Sequence, residues 1–167
     1  MDPKKFLHKV AIVTGSSSGI GRATVIAFVR SGANVVVACR RQAQGEETVR
    51  MIEEAGSAGK VVQTHVSRAT DVERMVSETI QIFGRLDFAF NNAGIAESPQ
   101  AFVEQSEEAF ERVMDVTVKG VWLCSAGASF MIGQSMFVDG GYTAKGSPPG
   151  EVGSGGLRCL ATFNHRD

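Results

Sequence analysis

Lys9-Val10-Ala11-Ile12-Val13-Thr14-Gly15-Ser16-Ser17-Ser18-Gly19-Ile20-Gly21-Arg22 decides how the rest of the chain is read. The apolar run Val10 to Val13 predicts a strand buried on both faces. Thr14-Gly15 breaks it, serines follow, and regular structure resumes at Gly19-Ile20-Gly21. Ala23, Val25, Ile26, Ala27 and Val29 then form an apolar helical stripe ending at Gly32, which is placed to cap the helix. Strand, glycine-rich turn and helix make the front half of a dinucleotide-binding unit. Backbone N–H groups at a helix start, aided by the helix dipole, attract a pyrophosphate. Glycine is needed where the chain turns tightly, where phosphate touches backbone, and where the helix packs on the strand. The candidate phosphate-binding residues are therefore Gly15, Ser17, Ser18, Gly19, Ile20 and Gly21. The alternative is a structural strand–turn–helix with no ligand.

Outward from this stretch the pattern repeats. Asn34 to Ala38 reads as a second buried strand, ending in Cys39-Arg40-Arg41. Gly45 to Ala55 is amphipathic, with Val49 and Ile52 as its apolar points, and Gly56 to Gly59 ends it. Lys60 to Thr64 predicts a third strand, followed by His65-Val66. Thr70-Asp71-Val72-Glu73 has the form of a capping box and opens a helix running to Phe83, where Gly84 stops it. Leu86 to Phe90 predicts a fourth strand, leading into Asn91-Asn92-Ala93-Gly94. Ser106-Glu107-Glu108 starts a long helix with Phe110, Val113, Met114, Val118, Val121 and Trp122 on its apolar side. Strands joined by helices imply right-handed crossovers and a parallel sheet ordered 3-2-1-4 in an αβα sandwich.

The glycine spacing, G-x-x-x-G-x-G, differs from the commoner G-x-G-x-x-G fingerprint. Thr14-Gly15-x-x-x-Gly19-Ile20-Gly21, Asn91-Asn92-Ala93-Gly94 and Val138-Asp139-Gly140-Gly141, in that order, resemble motifs of the short-chain dehydrogenase/reductase family. The resemblance implies a Rossmann-like fold and hydride transfer between a nicotinamide cofactor and an alcohol or carbonyl. It also implies that the first asparagine ties neighbouring strands while Asn92, Ala93 and Gly94 border the ribose. In NAD-selective relatives an acidic residue after the second strand holds the adenosine ribose hydroxyls. This chain has no carboxylate there, and Arg40 and Arg41 stand just beyond. Each could give a 2′-phosphate charge-assisted bonds worth about 1.5–3 kcal/mol, which favours NADP(H) over NAD(H). The alternative is two solvated arginines opening a helix. After the third strand the family usually places Asp-Val, the aspartate bonding the adenine amino group. Here the pair is His65-Val66; a neutral histidine can still accept that bond.

The resemblance also exposes departures. Met114 to Gly120 resembles the family's catalytic-asparagine helix with Thr117 at the asparagine position. After Val121-Trp122-Leu123-Cys124 the likeness jumps to Ser125–Gln134, the piece that precedes the family's last strand, here Ser135 to Val138. The strand bearing the family's catalytic serine and the Tyr-x-x-x-Lys helix have no counterpart; on the order of a hundred residues are missing, with the second half of the doubly wound sheet. Ser129, Tyr142 and Lys145 repeat the order Ser, Tyr, Lys. The chemistry needs the lysine four residues after the tyrosine on one helix, and Gly146-Ser147-Pro148-Pro149-Gly150 forbids its continuation. No catalytic residue is assigned. Two functions compete: an NADP(H)-binding oxidoreductase of this family whose own Ser-Tyr-Lys centre is missing, and a non-catalytic nucleotide-binding or interaction fragment. The resemblance further implies that the 106–124 helix pairs with a second copy across a dimer interface.

The 167 residues divide into a truncated dinucleotide-binding domain, 1–145, and a Gly/Pro/Ser-rich tail, 146–167, expected to be flexible. A net charge of −1 gives no electrostatic reason to expect nucleic acid or an anionic membrane as partner. No apolar run reaches spanning length. Cys39, Cys124 and Cys159 lack metal-ligand spacing and read as reduced thiols, so a cytoplasmic protein without a metal is expected.

Overall fold

Alternation along the strands sorts the core into two layers. Side chains on a strand point to opposite faces in turn. Ile12, Val36 and Ala38 accordingly join one buried cluster, whereas Ala11, Val13, Val35, Val37 and Cys39 join another. The computed structural model describes residues 5–96 and 105–127. Its elements are β1 (Val10–Thr14), α1 (Gly19–Arg30), β2 (Asn34–Cys39), α2 (Gln42–Glu54), β3 (Gly59–Gln63), α3 (Ala69–Phe83), β4 (Phe88–Phe90) and α4 (Glu107–Met114). A π-helical turn, Asp115–Lys119, joins α4 to α5 (Gly120–Gly127).

The sheet is parallel and ordered β3-β2-β1-β4, as the sequence predicts. Ile12 stands opposite Val36 on one side and Ala89 on the other, and Val36 opposite Lys60. On one face Val25 and Val29 of α1 and Ile52 of α2 close over Val13, Val35 and Val37. On the other, Val72 and Met75 of α3 pack with Val116 and Cys124 against Ile12 and Val36. Phe6, Phe28 and Phe88 stack where β4 meets α1, with ring centroids 5.0–5.7 Å apart. Asp87 fastens the start of the sheet: it accepts from the Val10 N–H at 2.9 Å and pairs with Lys9 at 3.2 Å.

Four expectations need correction. The Thr70 capping box does not form: Arg68 is the N-cap of α3, and Thr70 lies inside the helix, exposed. Asp71, in the first turn, instead reaches back past the N-cap to accept from the His65 N–H at 2.8 Å, tying the helix start to the chain leaving β3. α2 starts at Gln42, before Gly45, because that glycine marks close packing rather than a helix start. A Cβ on it would lie 2.5 Å from Val61 Cγ2 and 2.7 Å from Cys39 Sγ. β4 is shorter than predicted, since Asp87 N–H bonds Val10 O ahead of the regular ladder.

The fourth concerns the 106–124 helix. Ser106 caps it as expected, accepting from the Ala109 N–H. Its buried residues, however, are Ala109, Val116, Gly120 and Cys124, while Phe110 is 49% and Trp122 63% exposed. The π turn inserts an extra residue per turn and rotates the buried face away from a uniform 3.6-residue stripe. Gly120 is the point of closest approach; a Cβ there would lie 2.8 Å from Val66 Cγ2. The loop Pro99 to Val103, the strand Ser135–Val138, the Val138–Gly141 motif and the 146–167 tail lie outside the described residues.

Candidate functional site

β1 lies between β2 and β4, so the chain leaves the sheet in opposite directions from adjacent strands. That reversal opens a crevice at the strands' carboxyl ends, where open α/β sheets bind their ligands. A cleft of about 210 Å³ occupies the position. Of the sequence-predicted residues, Gly15, Ser17, Arg40, Arg41, His65, Val66, Asn92, Ala93 and Gly94 line it. Ser18, Gly19, Ile20 and Gly21 do not; they form the adjoining start of α1.

The loop is built by local hydrogen bonds. Ser16 Oγ donates to Val13 O at 2.7 Å, and the Gly15 N–H donates to Ala38 O at 2.8 Å, so the turn begins pinned to β1 and β2. Gly15 has φ +66°, and a Cβ on it would lie 2.9 Å from Ala93 Cα. Only glycine meets both demands. Thr14, 2% exposed, links the loop to the end of β4. Its Oγ1 accepts from the N–H groups of Asn92 and Ala93, each at 3.0 Å, and donates to Phe90 O. The Asn92 side chain turns inward, donating to Thr14 O at 3.0 Å and Gly15 O at 3.3 Å. Asn92 thus ties the end of β4 to the loop after β1.

Two serine-capped helices show what the start of α1 is suited to. At α4 the N-cap Ser106 spends its hydroxyl on the helix, and Glu107 and Glu108 fill the first turn. At α1 the N-cap Ser18 makes no side-chain cap bond, and no acidic residue occupies the first turn. Its hydroxyl instead accepts from Arg41 Nη2 at 3.0 Å, and Ser17 Oγ accepts from the same nitrogen at 3.3 Å. Above Gly19, at φ +54°, a Cβ would meet nothing within 4 Å. A bare, positively polarised helix end with open space above it and a guanidinium beside it fits an anionic phosphate ligand.

Around the cleft, His65 Nδ1 lies 2.8 Å from Ser67 Oγ. The Asp71 carboxyl is held below the usual range by the His65 N–H, with Arg74 contributing. At the end of β2, burial pushes the Cys39 thiol up, and its Sγ–H donates to Arg41 O at 3.3 Å. Cys124, beneath the π turn, is pushed up to about 11 by burial. Both are poor nucleophiles at neutral pH. Thr117 sits in the π turn with a buried Oγ1 that has no hydrogen-bond partner among the described residues. Ser129, Tyr142 and Lys145 lie outside the described residues.

A family model described as short chain dehydrogenase matches residues 9–136. The chain belongs to the short-chain dehydrogenase family. It is 43% identical over 117 residues to a short chain dehydrogenase/reductase of Aspergillus oryzae, covering 70% of this chain and 45% of that protein. It is 44% identical over 118 residues to a 2,5-dichloro-2,5-cyclohexadiene-1,4-diol dehydrogenase of Sphingobium indicum, covering 70% of this chain and 45% of the relative. A crystal structure of a short-chain type dehydrogenase/reductase from Mycobacterium marinum superposes with TM-score 0.73 at 31% identity, covering 77% of this chain and 52% of that one. The chain therefore spans about half the length of the relatives it matches.

Three residues at the short-chain dehydrogenase loop have roles the sequence did not disclose: Thr14, quoted only as part of the glycine motif, Arg22 and Thr48. Thr14 and Arg22 lie within the deciding stretch itself, so their type and place were visible. Thr48 had one signal, a hydroxyl on the helix's apolar side flanking Val49 and Ile52.

Proposed function

We propose that this chain binds NADP(H) through the loop Gly15 to Gly21, with Arg41, seconded by Arg40, recognising the 2′-phosphate. The observation that carries the reading is the guanidinium of Arg41 resting on the Ser17 and Ser18 hydroxyls, at the helix end suited to a phosphate. Arg22 is already paired with Glu47, whereas Arg40 and Arg41 are both exposed at the cleft. His65 and Val66 border the adenine, and Asn92, Ala93 and Gly94 the ribose. Ile20, 67% exposed in the first turn of α1, gains cover when the ligand is in place.

The cofactor supplies a hydride to a carbonyl, or takes one from an alcohol. This chain's residues hold and orient it; the proton partner is the weak point. The chain's single tyrosine, Tyr142, follows the Val-Asp-Gly-Gly motif directly and lacks a lysine four residues on. General acid–base catalysis is worth about 10²–10⁴ in rate, so turnover falls to trace levels without it. The oxidoreductase reading is thus one of family and binding. The second reading, a non-catalytic nucleotide-binding module, is favoured by Thr117 at the asparagine position and by the jump after Cys124. Phe110 of α4 and Trp122 of α5, both exposed, suit pairing with a second copy.

Titration with NADPH and NADH, followed by carbonyl reduction on the same sample, tests both. NADPH binding without turnover supports the module; binding with turnover supports a working enzyme. Absence of binding overturns the proposal.

A further inference from the structure

The glycine-rich loop is held from behind by α2. Thr48, fully buried, accepts from Arg22 Nε at 3.0 Å. Its single proton faces two carbonyls, Gln44 O at 3.1 Å and Ser16 O at 3.3 Å. Arg22 Nη2 donates to Ser17 O at 2.6 Å and to Glu47 Oε2 at 3.0 Å. Ser16 O is thus drawn to α2 directly by Thr48, and Ser17 O by way of Arg22 of α1, whose guanidinium is held against α2 by Glu47 and Thr48. α2 is itself fixed, because Gly45 seats it so closely on β2 and β3 that no Cβ fits.

In a trans peptide the C=O of one residue and the N–H of the next point in opposite directions, and the described residues contain no cis bond. Turning the Ser16 and Ser17 carbonyls toward α2 thus turns the N–H groups of Ser17 and Ser18 away from it. We propose that Arg22 and Thr48 are positioning residues that aim these two amides at the dinucleotide's pyrophosphate. The inference rests on the cofactor reading above. Arg41, at the N-cap of the same helix, touches Ser17 and Ser18 from the front, so one helix sets both loop direction and 2′-phosphate contact. Pre-set amides lower the ordering cost of binding.

The test compares wild type, Arg22→Lys, Thr48→Val and Thr48→Ser in the full chain. Arg22→Lys keeps the charge but loses the fork; Thr48→Val keeps the shape but loses the hydroxyl. ADP-ribose, which carries the pyrophosphate, should bind about fivefold more weakly to Arg22→Lys and Thr48→Val, the loss of one net hydrogen bond. Adenosine 2′-monophosphate, which lacks it, should bind unchanged, and Thr48→Ser should regain wild-type affinity. In the free protein, hydrogen exchange across residues 16–19 should quicken in the two weakened variants. Equal losses for both nucleotides, Thr48→Ser no better than Thr48→Val, or unchanged loop exchange would each overturn the proposal. If wild type binds neither nucleotide, the cofactor reading falls, and the latch is decided by loop exchange alone.

Discussion

At the scale of single residues, Thr14 has an outsized role for a small side chain. One hydroxyl accepts two backbone N–H groups from the end of β4 while buried at the end of β1. Replacing it with valine keeps the volume and strands both donors. A hydrogen bond is worth about 0.5–1.5 kcal/mol net, so losing two should cost Thr14→Val about 1–3 kcal/mol in urea unfolding, with Thr14→Ser close to wild type. A loss under 0.5 kcal/mol, roughly the scatter of a surface change, would contradict the assignment. Arg22 and Thr48 carry the same lesson. Their residue types were plain in the sequence, but their contact spans 26 positions and exists only once α2 has docked on the sheet.

Among the elements, those resting on strong local signals were legible. The buried runs at Val10 to Val13 and Asn34 to Ala38 gave strands because unbroken apolar stretches suit a sheet covered on both faces. Where tertiary contacts outweighed local pattern, the reading slipped. Gly45 resembled a helix boundary but proved a packing point, and Thr70 resembled a cap while Asp71 supplied the reach. The π turn defeated the stripe on the last helices, since periodicity assumes a constant residue count per turn. Asp87 offers a test at this scale, as it joins β4 to β1. Burial pushes its carboxyl up, but bonds from Arg85, the Val10 N–H and Lys9 outweigh this and hold it below the usual range. A carboxyl lowered in the folded state stabilises fully above its unfolded value, about 3.9, and loses that contribution as pH falls through the folded value. Asp87→Asn should therefore lower stability at pH 7 and flatten the acid limb below about pH 4. An acid limb as steep as wild type would count against it.

For the whole molecule, the question is what the four described strands and their helices leave uncovered. β4 lies at the sheet edge among the described strands, short and half-buried, and Phe110 of α4 and Trp122 of α5 are both exposed. Unpaired edges and apolar patches favour self-association. Light scattering of the full chain should report a dimer or larger species, and Trp122→Glu should shift it toward monomer. A monodisperse monomer in the parent would refute the pairing. The first βα unit was the most legible part of the molecule, because its strand, glycine-rich turn and helix are encoded within a few consecutive residues. Catalysis depends on residues brought together from distant segments, which no short stretch of sequence displays.

The central claim is that a phosphate-gripping pocket with a preference for the 2′-phosphate persists here. Calorimetric titration of the parent and Arg41→Ala with NADPH and NADH tests it most directly. NADPH should bind the parent about tenfold or more tightly than NADH, the worth of one charge-assisted contact, and the variant should lose most of that preference, Arg40 keeping the remainder. Equal affinity for the two cofactors in the parent, or a preference undiminished by the loss of Arg41, would contradict it.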